Sequence, residues 1–506
     1  MMRTHRDASR VFGVRIGHGI RAAALAVLSL ASHRVAFAYD PATTHAGLTQ
    51  RAAVASGLHQ ALSRRLGRPL GLFEPIALSA TQLPVGEARF LMGRLMALDP
   101  AGGYRPGIDG VASALAWTMA GSVIAKTPPE RLQNLFLDPG TKRGLRDSSA
   151  FDGFGHALRL AADSGGFRSL ATGTSFSMEG PSSLEWIESP ENDQGLPVFF
   201  SEIEKAVVSP EAAQRDLALV RSLLALGGIL TALEDAGNPA QVRNDFRAAY
   251  LQGQSGSPFD RGSRYERVVA DGYGLLGVPR PTTVVSRPNW KAYFTGTDGQ
   301  GLADRTQRRF FSEGTVPEDA VVDPDTTAAD VVAGARQSLT YSLPRIPRLD
   351  LRPMGKTEYV LEADGTNARP RALLAYERVP GRVKFFLDNR VYADSARVLL
   401  PEIAGYAAGF IDHLLRTSVS LSVTGDRIRA EVLSSRGTVP AGQPHLFAED
   451  AQGRRRELQV SRDERNGAVF SAIAPSGTRR VSAFLRGEDE AGTVVAFGDL
   501  ALTMKR

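Results

Sequence analysis

The chain has 506 residues, 43% hydrophobic and 23% charged, with a formal net charge of +6 and no cysteine. Its length exceeds one ordinary core and predicts two or three domains of a folded, soluble protein. The lack of cysteine excludes disulfides, thiolate metal sites, a cysteine nucleophile and a lipidated N-terminal Cys.

At the N-terminus Arg3, Arg6, Arg10, Arg15 and Arg21 precede a short apolar run, AAALAVLSLAS, which leads to the small-x-small pattern Ala36-Phe37-Ala38. This predicts a secretory signal over residues 1–38, and hence an exported protein, periplasmic or extracellular. The run falls short of the ~20 residues that span a bilayer, and no transmembrane segment is expected after it. The leader carries six Arg against one Asp, or +5 of the chain's +6, which leaves a mature protein near +1. So small an excess does not indicate nucleic-acid binding, which needs a concentrated basic face.

From Thr43 to about Tyr273, apolar residues recur at three- and four-residue spacing, as in THAGLTQRAAVASGLHQALSRRL and VASALAWTMAGSVIA. A multi-helix domain is predicted over residues 39–274. Within it, LGGILTALEDAGNPAQVRND belongs to a helix with no charge between Arg221 and Glu234, the pattern of a buried element. Leu226, Ile229, Leu230 and Leu233 form one stripe of that helix. Gly228, Thr231 and Asp235 lie on the opposite side, where small residues admit a close neighbour. The breakers Gly237, Asn238 and Pro239 stop the helix. A carboxylate such as Asp235 in this setting is costly unless paired.

Residues 275–394 are rich in Pro, Gly, Thr and Asp and read as an irregular, loop-rich insertion, with TEYVLEADG and RVKFFLDNRVYAD extended or irregular. ARVLLPEIAGYAAGFIDHLLRT resumes a helical pattern, predicting a helix over 395–416 that returns to the first domain. After Thr417 the period changes to two in SVSLSVTGDRIRAEVLSS, and HLFAEDAQGRRRELQV and RRVSAFLRGEDEAGTVVAFGD repeat the strand-turn-strand pattern. A small β-sandwich is expected over 417–506, making the protein mainly α with a β tail. The basic cluster Gly453 to Glu457, GRRRE, reads as solvated surface in a hairpin.

The segment from Leu226 onward resembles the zinc-dependent bacterial phospholipases C and the related single-strand-specific nucleases. Their metal helix reads Leu-Gly-x-x-Leu-His-x-x-x-Asp, followed by a turn with Pro, a His and an Asn. Leu226-Gly227, Leu230, Asp235, Pro239 and Asn244 fall into that register. YDPATTHAGLT resembles the mature start of those proteins, GSVIAKTPPERLQNLFLDP their Glu-Asp-x-Pro and Asn-His-Phe-x-Asp-Pro segment, SRYERVV their His-x-x-x-Glu helix, and LLPEIAGYAAGFIDHLLR their closing helix. The resemblance runs from Tyr39 to Arg416 and implies a phospholipase C-like helical fold with a three-zinc cluster that hydrolyses phosphodiesters.

Most of the ligands that the resemblance implies are substituted. Lys126 stands at an Asp position, and Leu135, Thr231, Gln241 and Gly262 stand at His positions. None of these suits zinc, which without thiolates favours imidazole. Tyr39, as the mature N-terminus, His45 and Asp235 remain from one metal site by resemblance, with Glu266 from elsewhere in the cluster. Two outcomes follow: one zinc or other divalent metal at the surviving positions, or no metal, with the Lys126 ammonium pairing Asp235 in its place. The expected function is that of an exported, non-catalytic binding or envelope-associated module, with phospholipid or an envelope component as partner. The alternative is a metal-dependent phosphoric ester hydrolase with a reduced or rearranged site, for which His156 is a candidate contributor, although a lone His on a largely apolar helix reads first as structural. ADSGGF, at Ala162 to Phe167, is too local to support serine hydrolysis, and no nucleophile elbow, Walker loop or dinucleotide fingerprint occurs.

Overall fold

The computed structural model describes residues 41–77, 111–126, 129–146, 180–245, 248–249, 264–316, 320–321, 352–354, 357–362, 370–379, 382–436, 440–442, 444–463 and 468–502. The expected signal over 1–38 lies outside these residues, as do Tyr39, Gly262, His156 and the segment Ala162 to Phe167.

The helical part is built around α1 (Ala46–Ala55), α2 (Ala114–Ile124), α3 (Leu196–Val208), α4 (Ala212–Asp235), α5 (Arg264–Gly277) and α6 (Asn389–Leu414). Helix α4 is its axis, packed by α2 on one side and α3 on another, while α1 lies against α2 and α6. By length and composition α4 could cross a membrane, but 78% of its apolar window is buried inside the fold.

The approach of α2 to α4 is set by glycine. A Cβ on Gly227 would sit 2.1 Å from the Thr118 carbonyl oxygen, and one on Gly121 2.2 Å from that of Leu224. Gly228 faces Gln194 instead, so the two glycines of the pair admit different neighbours. Ser113 caps α2 by accepting from the Ala116 N–H at 3.2 Å, satisfying one of the donors a helix start leaves open. Asp388 does the same for α6 through the Val391 N–H at 2.9 Å.

The insertion departs from expectation. Strands β1 (Pro75–Ala77) and β2 (Val111–Ser113) pair within the helical domain. Residues 320–386 then supply a five-stranded antiparallel sheet, where the sequence reads as irregular. Its strands are β3 (Ala320–Val321), β4 (Arg352–Met354), β5 (Thr357–Glu362), β6 (Arg371–Val379) and β7 (Arg382–Phe386), in the order β3-β7-β6-β5-β4. Ala372 to Tyr376 are all buried, so this stretch of β6 lacks the alternation of a half-exposed strand and carries no period-two signal. The protein is thus less purely helical than its periodicity suggests. Helix α6 begins at Asn389, earlier than the expected 395, and takes in the RVYAD that reads as extended.

The three C-terminal hairpins form where alternation places them: β8 (Thr417–Thr424) with β9 (Arg427–Ser434), β10 (His445–Glu449) with β11 (Arg455–Leu458), and β14 (Arg480–Asp489) with β15 (Gly492–Ala501). The first turns through Gly425-Asp426, where Gly425 has φ +64°. With β12 (Ser461–Arg462) and β13 (Val469–Ile473), the strands make two four-stranded sheets, β11-β10-β14-β15 and β12-β13-β9-β8. Val419, Ile428, Phe470, Val481, Leu485 and Ala496 share one core between them. Arg416, just past α6, fixes this unit to the helical part by gripping Asp489 with Nε at 2.8 Å and Nη2 at 2.7 Å.

Candidate functional site

Asp235 ends α4 beside Glu234, and both carboxylates are fully buried. Two acids at the C-terminal, negative end of a helix oppose its dipole and need positive partners. Two arrive from other elements. Lys126, just past the end of α2, places Nζ 3.0 Å from Asp235 Oδ2 and 3.1 Å from Oδ1. His45, which precedes α1, bridges the acids, with Nδ1 2.5 Å from Glu234 Oε2 and Nε2 3.2 Å from Asp235 Oδ1. Thr49, one turn further along α1, donates to Glu234 Oε1 at 2.9 Å. His45, Lys126, Glu234 and Asp235 all have zero exposure, so they form a dry tetrad of two acids and two bases.

The electrostatics favour an ionised His45. Burial and the neighbouring Lys126 pull its pKa down, Asp235 and Glu234 pull it up, and the carboxylates prevail, leaving it above the ordinary imidazole value. Burial raises Glu234 above the usual carboxylate range, against the opposing pull of His45 and Thr49. Two acids and two bases balance in formal charge, the condition under which such a cluster is tolerated in a core.

The remaining candidates have other occupations. Thr231 Oγ1 donates toward the Ser122 and Gly227 carbonyls, each at 3.1 Å, tying α4 to α2. Leu135 packs in the hydrophobic core. Gln241 is fully buried, and neither atom of its amide has a hydrogen-bond partner among the described residues. Glu266, on α5, accepts from Asn238 Nδ2 at 2.9 Å, and Asn238 in turn accepts from the Ala240 N–H at 3.0 Å to start a short turn of helix. Asn244 makes two bonds to the Arg146 backbone, at 3.0 and 2.6 Å. The structure therefore brings His45, Lys126 and Asp235 into direct contact and links Glu266 to Asn238, while Tyr39 and Gly262 lie outside the described residues.

Sequence reasoning missed Glu234 and Thr49. Glu234 read as the charged end of a helix, and Thr49 as part of the mature start. The available signal was His45 and Thr49 four residues apart, and thus on one helical face, together with two adjacent acids ending an apolar helix.

As arranged among the described residues, these groups do not fit a divalent ion. An ammonium occupies the coordination side of Asp235, and the flanking carboxylates engage both nitrogens of His45. With no exposed atom, the tetrad offers no surface to a substrate.

No protein-family model matches the chain, and no curated protein matches it. Among solved structures, an alpha toxin from Clostridium absonum is similar over 92% of this chain and 96% of that one, with 10% identity and a TM-score of 0.24. At that score the likeness is distant and supports no statement about activity.

Proposed function

We propose that this is an exported protein with a phospholipase C-like helical scaffold, which works as a non-catalytic binding or envelope-associated module and engages phospholipid or another envelope component. One observation carries the reading: Lys126 Nζ stands 3.0 Å from Asp235 in a cluster without solvent access. Multi-metal phosphodiester hydrolysis needs open coordination positions at clustered ions. A sealed ammonium-carboxylate pair supplies none.

The test starts with elemental analysis of the purified mature protein, followed by assays for phosphocholine release and for a chromogenic phosphodiester product. Sub-stoichiometric metal and no turnover above background are expected. Stoichiometric zinc with chelator-sensitive hydrolysis would overturn the proposal in favour of a hydrolase with a rearranged metal site.

A further inference from the structure

A second charged cluster lies between the helical domain and the sandwich, around a cavity of about 220 Å³. That is far more than the roughly 10–15 Å³ one water requires. Four guanidinium groups line it: Arg68 and Arg215 from the helical part, and Arg455 and Arg480 from β11 and β14. The inner two are locked. Arg215 Nη2 and Arg455 Nε share Glu449 at 3.1 and 2.8 Å, and Arg215 Nη1 donates to the Ser209 and Pro210 carbonyls at 3.1 and 2.8 Å. Arg455 is accordingly not the solvated residue its basic run suggests, since its side chain is only 8% exposed.

The outer two keep unused donors. Arg68 spends one Nη2 contact on Asp216. Arg480 Nη1 contacts Asp499 at 2.6 Å and the Gly67 carbonyl at 3.4 Å, and its Nε stands 4.0 Å from Glu449. Among the described residues, Nε and Nη1 of Arg68 and Nη2 of Arg480 have no hydrogen-bond partner. Both side chains line the same cavity from opposite domains.

Four guanidinium groups line the wall against three carboxylates. The lining acids are Asp216, Glu449 and Glu74, and Glu74 already accepts from the Leu70 N–H at 3.0 Å. Asp499 sits behind, and burial raises its pKa above the usual carboxylate range. Burial, then the adjacent Arg455, lowers Arg215 to about 10, against the opposing pull of Glu449.

We propose that this interdomain cavity binds a phosphate-type oxyanion, gripped by Arg68 from one domain and Arg480 from the other, with Arg215 and Arg455 supplying positive field behind them. Guanidinium forks match tetrahedral oxyanions through paired N–H donors. A ligand held from both sides would also strengthen the interface it bridges. The site is separate from the buried tetrad and does not depend on the function proposed above.

The same chemistry could come from free phosphate or from the phosphomonoester head of a lipid, so the test has two arms. Inorganic phosphate is titrated into the intact mature protein by calorimetry and by thermal melts at ionic strength matched with chloride. In parallel the protein is sedimented with phosphatidylcholine vesicles with or without phosphatidic acid. We expect a saturable rise in Tm with phosphate beyond the chloride control, and at least a tenfold loss of affinity in Arg68→Gln and in Arg480→Gln. Phosphatidic acid-dependent sedimentation that both variants abolish would assign the anion to a lipid head. If the wild-type protein shows no binding in either arm, or if both variants retain full affinity, the proposal is overturned.

Discussion

The two charged clusters use similar residues in opposite ways. In the tetrad, two bases meet two acids with no exposed atom, and each group is matched by a neighbour of opposite sign. Around the interdomain cavity the arginines are only partly matched, and two of them keep side-chain exposures of 23% and 30%. A sealed cluster has nothing to offer a solute and contributes through the cost of breaking it. A wet one keeps its donors available and gains little from its internal pairs, because solvent screens them. Side-chain chemistry alone does not separate the two roles, whereas solvent access does.

The largest effect should come from unbalancing the sealed cluster. Lys126→Met leaves a buried carboxylate uncompensated and should destabilise the fold by about 3–5 kcal/mol in urea unfolding. Combining it with Asp235→Leu should restore much of that loss. A double mutant no more stable than the single one would mean that the two residues are not coupled.

The helix contact beneath the tetrad comes next. Gly227→Ala places a methyl 2.1 Å from the Thr118 carbonyl oxygen, which is backbone and cannot swing away. Overpacking of this kind should cost about 1–3 kcal/mol despite the better helix propensity of alanine. An unchanged urea midpoint would show that α2 and α4 can part without penalty.

An intermediate effect should appear on acidification. Burial, then Arg416 and Arg436, lowers His413 to about 3, and Arg436 Nη2 meets its Nδ1 at 3.3 Å. The folded state therefore resists protonation while the unfolded chain takes up a proton near the ordinary value of 6.5. This contribution is complete above pH 6.5 and is lost as pH falls toward 3, at about 2 kcal/mol for the first two units below 6.5. Asp489 close by raises the pKa and moderates the loss. Comparing the pH dependence of unfolding for wild type and His413→Gln isolates this contribution, and parallel profiles would refute it.

The smallest effect belongs to the wet cluster. Arg68→Gln in the absence of phosphate should cost no more than about 1 kcal/mol, and less at high salt, because its partner Asp216 is also partly solvent-exposed. A loss of several kcal/mol would move this cluster into the structural class and erase the contrast with the tetrad.

What the sequence makes legible follows from how locally each feature is encoded. Helix α4 and its end at Gly237, Asn238 and Pro239 can be read from a few adjacent residues, as can the hairpin at Gly425-Asp426. The five-stranded sheet cannot, because β6 is buried over most of its length and its partners lie in short, separated segments. At the tetrad, Asp235 and the possible pairing with Lys126 are visible in outline through the family register. The role of Glu234 depends on where α1 lands, which no local pattern records. Arg455 is hidden for a similar reason: a run of three arginines looks like surface, but the middle one, at the start of β11, turns inward to Glu449.

Helix α6 meets the inserted sheet at one end, where Asp394 accepts from the Ala372 N–H at 2.9 Å, and is followed at the other by the Arg416 clamp on Asp489. One rigid strut therefore joins sheet, bundle and sandwich. Along its 26 residues it carries a single imino acid, Pro401, where the ladder lacks a donor. Beyond Pro401, Ile403, Phe410 and Ile411 are fully buried in the helical core, so the inserted sheet and the sandwich are anchored to one packed helix.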